Sequence, residues 1–223
     1  MEEVTLEPLG PVDLSKDQSY VLHVLNQEKL SKALFPVGDY PKAEIRKIAE
    51  SLNLPVYKRP DSQDLCFLAG EDYRNFIKRN AAEMLVPGEI VNGGGEVLGQ
   101  HDGLANYTIG QRKGLGVSSP VPLYVLGKDA ETSTLIVGES DELGRDELIA
   151  DDVNWISGEV PREPFRAEVK IRYTAKDAWA LVTPIEEGEQ VQVRFDAPQR
   201  DVTPGQAVVF YDGDLLVGGG IIV

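Results

Sequence analysis

The hydrophobic pattern changes period near residue 80, and that change restricts the fold more than any motif does. Before it, apolar residues recur at helical spacing; after it, they alternate as in half-buried strands. In the front part, Tyr20, Val24, Leu25, Leu30, Leu34 and Phe35 fall near one helical stripe, after an opening that Ser15 or Asp17 can cap. A second helix is predicted from the Asp39-Tyr40-Pro41-Lys42 start. Pro41 suits its first turn, Ile45, Ile48, Ala49 and Leu52 form its buried stripe, and Pro55 stops it. A third, from Glu71 to Arg79, is expected to bury Tyr73, Phe76 and Ile77.

Beyond Pro87, Glu89-Ile90-Val91 and Glu96-Val97-Leu98 flank the glycine turn Asn92-Gly93-Gly94-Gly95 and read as a hairpin. Leu123 to Leu126 and Thr134 to Val137 flank a polar turn and read as another. Five further strand candidates follow at 165–173, 178–185, 190–195, 207–211 and 215–223, with Asp212-Gly213 as a turn. Their spacing predicts a small barrel or sandwich. The expected class is α+β and multidomain, divided as 1–80, 81–144 and 145–223.

Composition then removes several function classes. With 22 basic and 37 acidic residues the net charge is −15, which argues against gripping nucleic acid through the overall field. Local patches are not excluded by that sum. Seven acids against Arg145 between Glu139 and Asp152 read as a solvated linker face. No apolar run approaches the roughly 18 residues of a spanning helix, and the acidic Met1-Glu2-Glu3 opening is unlike a secretory leader, so no membrane and a cytoplasmic location are expected. One cysteine and two histidines exclude disulfide frameworks and cysteine-rich zinc sites, and no residue is assigned to a metal.

Cys66 is the only thiol. It reads either as a small buried hydrophobe before Phe67 and Leu68, or as a thiolate favoured by a nearby helix N-terminus. Thr108 to Gly116 combines Arg112 and Lys113 with three glycines, suited to backbone approach toward phosphate or to an ordinary solvated turn. Lys170 and Arg172 share one face of a predicted strand that ends at Tyr173, either a nucleic-acid contact or an exposed barrel face. His23 and His101 lack partners at metal spacing and read as structural or surface residues.

Several segments carry a family resemblance in one order along the chain. They are Lys16-Asp17-Gln18-Ser19-Tyr20, Leu34-Phe35-Pro36-Val37-Gly38, Asp61-Ser62-Gln63 leading to Cys66-Phe67, and His101-Asp102-Gly103-Leu104. Tyr107 to Gly116, Thr203-Pro204-Gly205-Gln206 and Gly218-Gly219-Gly220 complete the set. Together they resemble the tRNA-specific 2-thiouridylases, the MnmA family.

That resemblance implies a sulfurtransferase acting on C2 of the wobble uridine of tRNA. In the complete family enzyme ATP and Mg2+ adenylate the C2 oxygen, and a cysteine persulfide then delivers sulfur; Cys66 matches that catalytic cysteine. Lys16, Asp17 and Gln18 match a tRNA-contacting segment, as do Arg172, Tyr173 and Gln206. The implied fold is a helical remnant of an α/β nucleotide-binding domain carrying Cys66, a small β-rich central domain and a C-terminal antiparallel β-barrel. The implied partners are tRNA, a persulfide sulfur donor protein and a missing or separate ATP-binding domain, because the family's Ser-Gly-Gly-x-Asp-Ser loop and partner cysteine do not occur in these residues. The expectation is therefore a fragment or one half of a split protein, binding no cofactor alone and inactive without that domain. A non-catalytic RNA-binding or adaptor module, or a thiol sulfur carrier, is the alternative.

Overall fold

The structure is a computed structural model that describes residues 6, 8, 10, 12–60, 68, 70–173, 177–200 and 202–223. The chain divides into two compact units, one of residues 1–59 with 145–223 and the other of residues 60–144. The architecture is α+β: few helices, a small mixed sheet and a closed barrel.

The barrel consists of β5 (Arg145–Trp155), β6 (Phe165–Lys170), β7 (Ala178–Ile185), β8 (Gln190–Gln199), β9 (Ala207–Asp212) and β10 (Leu215–Ile222), closed in the order β10-β5-β8-β7-β6-β9. All its pairings are antiparallel. Alternation builds the core: Val191, Val193 and Phe195 point inward from β8, Ala180 and Val182 from β7, and Val208 and Phe210 from β9. Closure leaves no sheet edge unpaired, which is how a short all-β unit avoids sticky margins.

The sixth strand lies where a linker was expected. Residues 145–152 of the acidic run belong to β5, with Leu148 and Ala150 buried and Asp146 and Glu147 facing outward. Net charge hid the strand, because Asp146, Glu147 and Asp152 are exposed while Leu148 and Ala150 turn inward.

The front elements also differ from expectation. Instead of one helix through Phe35, the chain makes a 3-10 turn at Leu14–Lys16, a 3-10 helix at Ser19–Val24 and the short α1 (Gln27–Leu30). Leu34 is 89% exposed and belongs to no buried stripe. Barrel contacts override the local helical spacing. Asn154 donates to the carbonyls of His23 and Leu25 at 2.6 and 3.0 Å, and Gln27 donates to that of Ile156 at 2.6 Å. Leu30, Ile156, Val209, Tyr211 and Leu216 form a second core, with Tyr20, Leu22 and Leu25 packed on it. Gly219 makes the close approach possible, since a Cβ there would lie 2.6 Å from the Val208 carbonyl and 3.0 Å from His23 Cβ.

Helix α2 (Lys42–Ser51) starts after Pro41 as expected but buries no residue, with Ile48 and Leu52 exposed. In the other unit, α3 (Tyr73–Asn80) is capped by the Asp72 carboxylate and also leaves its apolar residues partly open. The two expected hairpins, β1 (Gly88–Asn92) with β2 (Val97–His101) and β3 (Tyr124–Asp129) with β4 (Thr134–Gly138), both form. They join through a parallel β1–β4 pairing into a sheet ordered β2-β1-β4-β3, around Ile90, Val125, Leu135 and Val137. No helix among the described residues is long and apolar enough to cross a membrane.

Candidate functional site

Two segments far apart in sequence meet on the barrel, and most of the tRNA-contact candidates lie on them. The first begins at Asp13, whose carboxylate accepts from the Ser15 amide at 3.2 Å and hydroxyl at 2.6 Å, and from the Lys42 amide at 3.0 Å. These bonds hold the Asp13 carboxyl below the usual carboxylate range, the Ser15 hydroxyl foremost. The clamp fixes the 3-10 turn that ends at Lys16 and ties it to the start of α2. Lys16 and Gln18 are exposed; Asp17 is half-buried and accepts the Ser19 amide at 2.7 Å. A carboxylate occupied in this way turns the chain rather than gripping a phosphate.

Ser19 then anchors the segment. Its hydroxyl shares a 3.0 Å hydrogen bond with the hydroxyl of Tyr211 on β9, 192 residues away, and both residues are buried. Burial pushes the Tyr211 phenol up to about 12, against the smaller opposing effect of the Ser19 bond, so it stays neutral over the ordinary pH range.

The second segment follows β6. The predicted strand through Tyr173 stops at Lys170, where pairing with β9 ends at Lys170 opposite Val209. Ile171 turns into the barrel core, Arg172 is half-buried and Tyr173 lies in a turn, 43% exposed. Lys170 and Arg172 therefore do not present one regular strand face. Lys170 is instead paired with Asp177 at 2.8 Å, with only 12% of its side chain exposed, which cancels its charge locally.

Arg172 donates to the Thr203 hydroxyl at 2.9 Å, and the Thr203 carbonyl accepts the Gln206 amide at 3.2 Å. Arg172 and Gln206 are thus linked through one residue, with the Gln206 side chain exposed. The Tyr173 ring lies 6.1 Å from that of Tyr20, tilted by 37°. Tyr20 follows Lys16, Asp17 and Gln18 after Ser19, so this aromatic pair joins the two segments.

Chemically, the arrangement offers cations for phosphate, the exposed Tyr173 ring backed by half-buried Tyr20 for a base face, and two glutamine amides that can both donate and accept. Tyr20, Ser19, Thr203 and Tyr211 were missed from sequence as parts of this surface. Thr203 stands visibly in the Thr-Pro-Gly-Gln turn, whereas the Tyr20–Tyr173 and Ser19–Tyr211 contacts have no local signal.

Cys66, with Asp61, Ser62, Gln63 and Phe67, lies outside the described residues. The two histidines are buried and bonded to main chain, His23 through Nδ1 to the Tyr20 carbonyl at 2.8 Å. His101 Nδ1 accepts the Gly103 amide at 3.0 Å, which leaves Nε2–H to donate to the Ser133 carbonyl at 3.0 Å. Among the described residues no group of three His, Cys, Asp or Glu side chains is placed to hold a metal ion.

Comparison with known proteins matches almost the whole chain in three consecutive stretches. Residues 2–70 match the tRNA methyl transferase HUP domain, residues 74–139 the tRNA methyl transferase PRC-barrel domain, and residues 145–222 the aminomethyltransferase β-barrel domain. The tRNA-specific 2-thiouridylase MnmA 2 of Caldanaerobacter subterraneus subsp. tengcongensis is 52% identical over 211 residues, which is 95% of this chain and 58% of that protein. The tRNA-specific 2-thiouridylase MnmA 1 of a Thermoanaerobacter species is 51% identical over the same shares. The tRNA-specific 2-thiouridylase MnmA of Symbiobacterium thermophilum is 51% identical over 94% of this chain and 54% of its own length. The chain thus spans a little over half the length of these relatives.

Proposed function

Because the chain belongs to the tRNA-specific 2-thiouridylase (MnmA) family, we propose that it is the part of such an enzyme that contacts tRNA and carries the sulfur to C2 of the wobble uridine. The observation that carries the tRNA half of this reading is the meeting of Lys16, Asp17 and Gln18 with Arg172 and Tyr173 through the Tyr20–Tyr173 pair, with Gln206 tied to Arg172 through Thr203. In this reading Lys16 and Arg172 meet phosphates, Gln18 and Gln206 meet base or sugar edges, Tyr173 meets a base face, and Asp17 holds the Lys16–Ser19 turn. The division at residues 80 and 144 belongs to the same reading and is supported at its second boundary by the start of β5 at Arg145.

The sulfur half rests on Cys66, the only cysteine of the chain and a match in sequence to the family's persulfide-bearing residue. A persulfide is more acidic than a thiol and is nucleophilic near neutral pH. Its terminal sulfur would attack C2 of a uridine activated elsewhere, and the C2 oxygen would leave with its activating group. A second thiol would then break the Cys66 S–S bond, leaving the sulfur on the base and a disulfide on the protein. That second thiol, like the persulfide donor protein, is not among these residues.

ATP and Mg2+ belong to the family's adenylation step. The residues described do not fit them, since no three cation-binding side chains come together and no Ser-Gly-Gly-x-Asp-Ser run occurs. Activation of the C2 oxygen therefore belongs, in this reading, to a separate ATP-binding part. The test supplies that part from a relative, with ATP, Mg2+, a persulfide donor and unmodified tRNA. Thiolation is expected with the wild type and lost with Cys66→Ser, while tRNA binding survives. Near-normal thiolation by Cys66→Ser would return Cys66 to a packing role.

A further inference from the structure

The unit of residues 60–144 carries a polar concavity that the reading above leaves unused, on the loop after residue 108. From residue 103 to residue 127 the only charged side chains are Arg112 and Lys113, a basic island in a chain of net charge −15. Both are exposed, and neither side chain makes a hydrogen bond or ion pair among the described residues.

The loop beneath them is fixed rather than slack. Gln111 Oε1 accepts the Thr108 amide at 3.0 Å, and Gln111 Nε2 donates to the Lys113 carbonyl at 2.9 Å. Gly110 donates to the Val125 carbonyl at 2.8 Å, and the Val125 amide donates back to Gln111 at 3.0 Å. Leu115, 5% exposed, roots the loop in the core formed by Ile90, Val125, Leu135 and Val137.

Within this frame the main-chain N–H groups of residues 112–117 donate to no protein acceptor among the described residues. Gly114 and Gly116 stand at φ +77° and +75°, and a Cβ on either would meet nothing nearer than Gln111 Nε2 at 3.9 Å. The backbone is therefore open to a ligand on that side. Arg112, Gly114, Gly116 and Ser119 border a cavity of about 240 Å³, whose remaining wall is apolar, from Leu115 and Val117 to Leu123. Successive unpaired amides beside the Arg112 guanidinium, with Lys113 next to it in sequence, form the kind of nest that holds an anion.

We infer that the 112–117 loop is a phosphate-binding site and that its ligand is a backbone phosphate of RNA. The identity of the ligand rests on the tRNA reading above; the phosphate chemistry does not. The cavity is smaller than the roughly 300 Å³ at which small-molecule sites begin. No aromatic ring or carboxylate lines it to hold a base or ribose, which favours a phosphate that arrives as part of a chain.

The experiment titrates the 15N-labelled 223-residue chain separately with unmodified tRNA, AMP and inorganic phosphate, following the amides of Gly114 and Gly116. The expected result is that tRNA shifts these amides, AMP shifts them no more than inorganic phosphate does, and the Arg112→Ala/Lys113→Ala variant loses the response. The same variant should make the log–log salt dependence of tRNA binding shallower by about 1 to 2. If tRNA binds but neither the amides nor the slope respond, the site is overturned and the tRNA reading stands. If tRNA does not bind, the tRNA reading and the RNA ligand fail together. Inorganic phosphate then decides the rest: shifted amides leave a site for free phosphate, and unmoved amides overturn the site altogether.

Discussion

In the barrel, Val182, Val191, Val193, Val208 and Phe210 are fully buried, whereas in residues 12–59 helix α2 buries nothing and Leu14, Leu34 and Leu52 are 74%, 89% and 63% exposed. Both stretches have well-formed amphipathic patterns in sequence. A closed barrel folds its apolar side onto itself, so alternation alone suffices. A helix needs a neighbour for its stripe, and among the described residues α2 lacks one. The front segment is held on the barrel by a small second core, with Tyr20, Leu22, Leu25 and Leu30 packed against Ile156, Val209, Tyr211 and Leu216 over Gly219, and by a few polar anchors: the Asp13 clamp, the Ser19–Tyr211 bond and Asn154. The bonds of Asp13, Asp17 and Ser19 flank Lys16 and Gln18 directly, so the surface assigned to tRNA depends on specific bonds as well as on the small core behind it.

The largest expected effect separates the two regions by stability. Phe210→Ala should cost about 3–5 kcal/mol through its cavity, read as a lower urea midpoint. Leu52→Ala should stay within about 0.5 kcal/mol, as for other exposed positions. If Leu52→Ala cost as much as Phe210→Ala, the contrast between a self-sufficient barrel and an uncovered helix would collapse.

A smaller effect sharpens the account of the anchors. Tyr211 has its phenol raised to about 12 from an ordinary 10, so the folded chain holds that proton more tightly than the unfolded one does. Its contribution is present below pH 10 and is lost as pH rises from 10 to 12, on the order of 2 kcal/mol in all. Tyr211→Phe should cost about 1 kcal/mol at pH 8 by stranding the Ser19 hydroxyl. Urea titrations at pH 8, 10 and 11.5 should then show the gap between wild type and variant narrowing by pH 10 and reversed at pH 11.5, since the loss exceeds the initial difference. A gap that stays constant would mean that Tyr211 does not depend on its buried proton.

How much of this was legible in sequence follows from the same contrast. Val191, Val193 and Phe195 announce a strand because each strand's pattern is complete within itself. The hairpins around Asn92 and Asp129 were legible for a similar reason, since their turns are local. β5 was hidden because its outward acids dominate a stretch whose inward residues are Leu148 and Ala150. The single helix through Phe35 failed because spacing cannot show that Asn154 and Gln27 would bind the chain in short turns. Arg172, Tyr173 and Gln206 could be named from the family resemblance, but the Tyr20–Tyr173 and Ser19–Tyr211 contacts could not. They are made by residues more than a hundred positions apart, brought together only when the barrel closes.

The central claim is that the barrel and the 13–24 segment present one tRNA-binding surface. Its most direct measurement is the salt dependence of tRNA binding by the chain and its variants, followed by fluorescence anisotropy. Arg172→Ala should weaken binding and make the log–log slope shallower by about one phosphate contact. Tyr173→Ala should weaken binding with the slope almost unchanged, because an aromatic contact releases no counterion. Tyr20→Ala, on the other segment, should follow Tyr173→Ala, and the double variant should bind little worse than either single one because the two rings act as a pair. Affinity and slope unchanged in Arg172→Ala, with Tyr20 and Tyr173 contributing independently or not at all, would contradict the account.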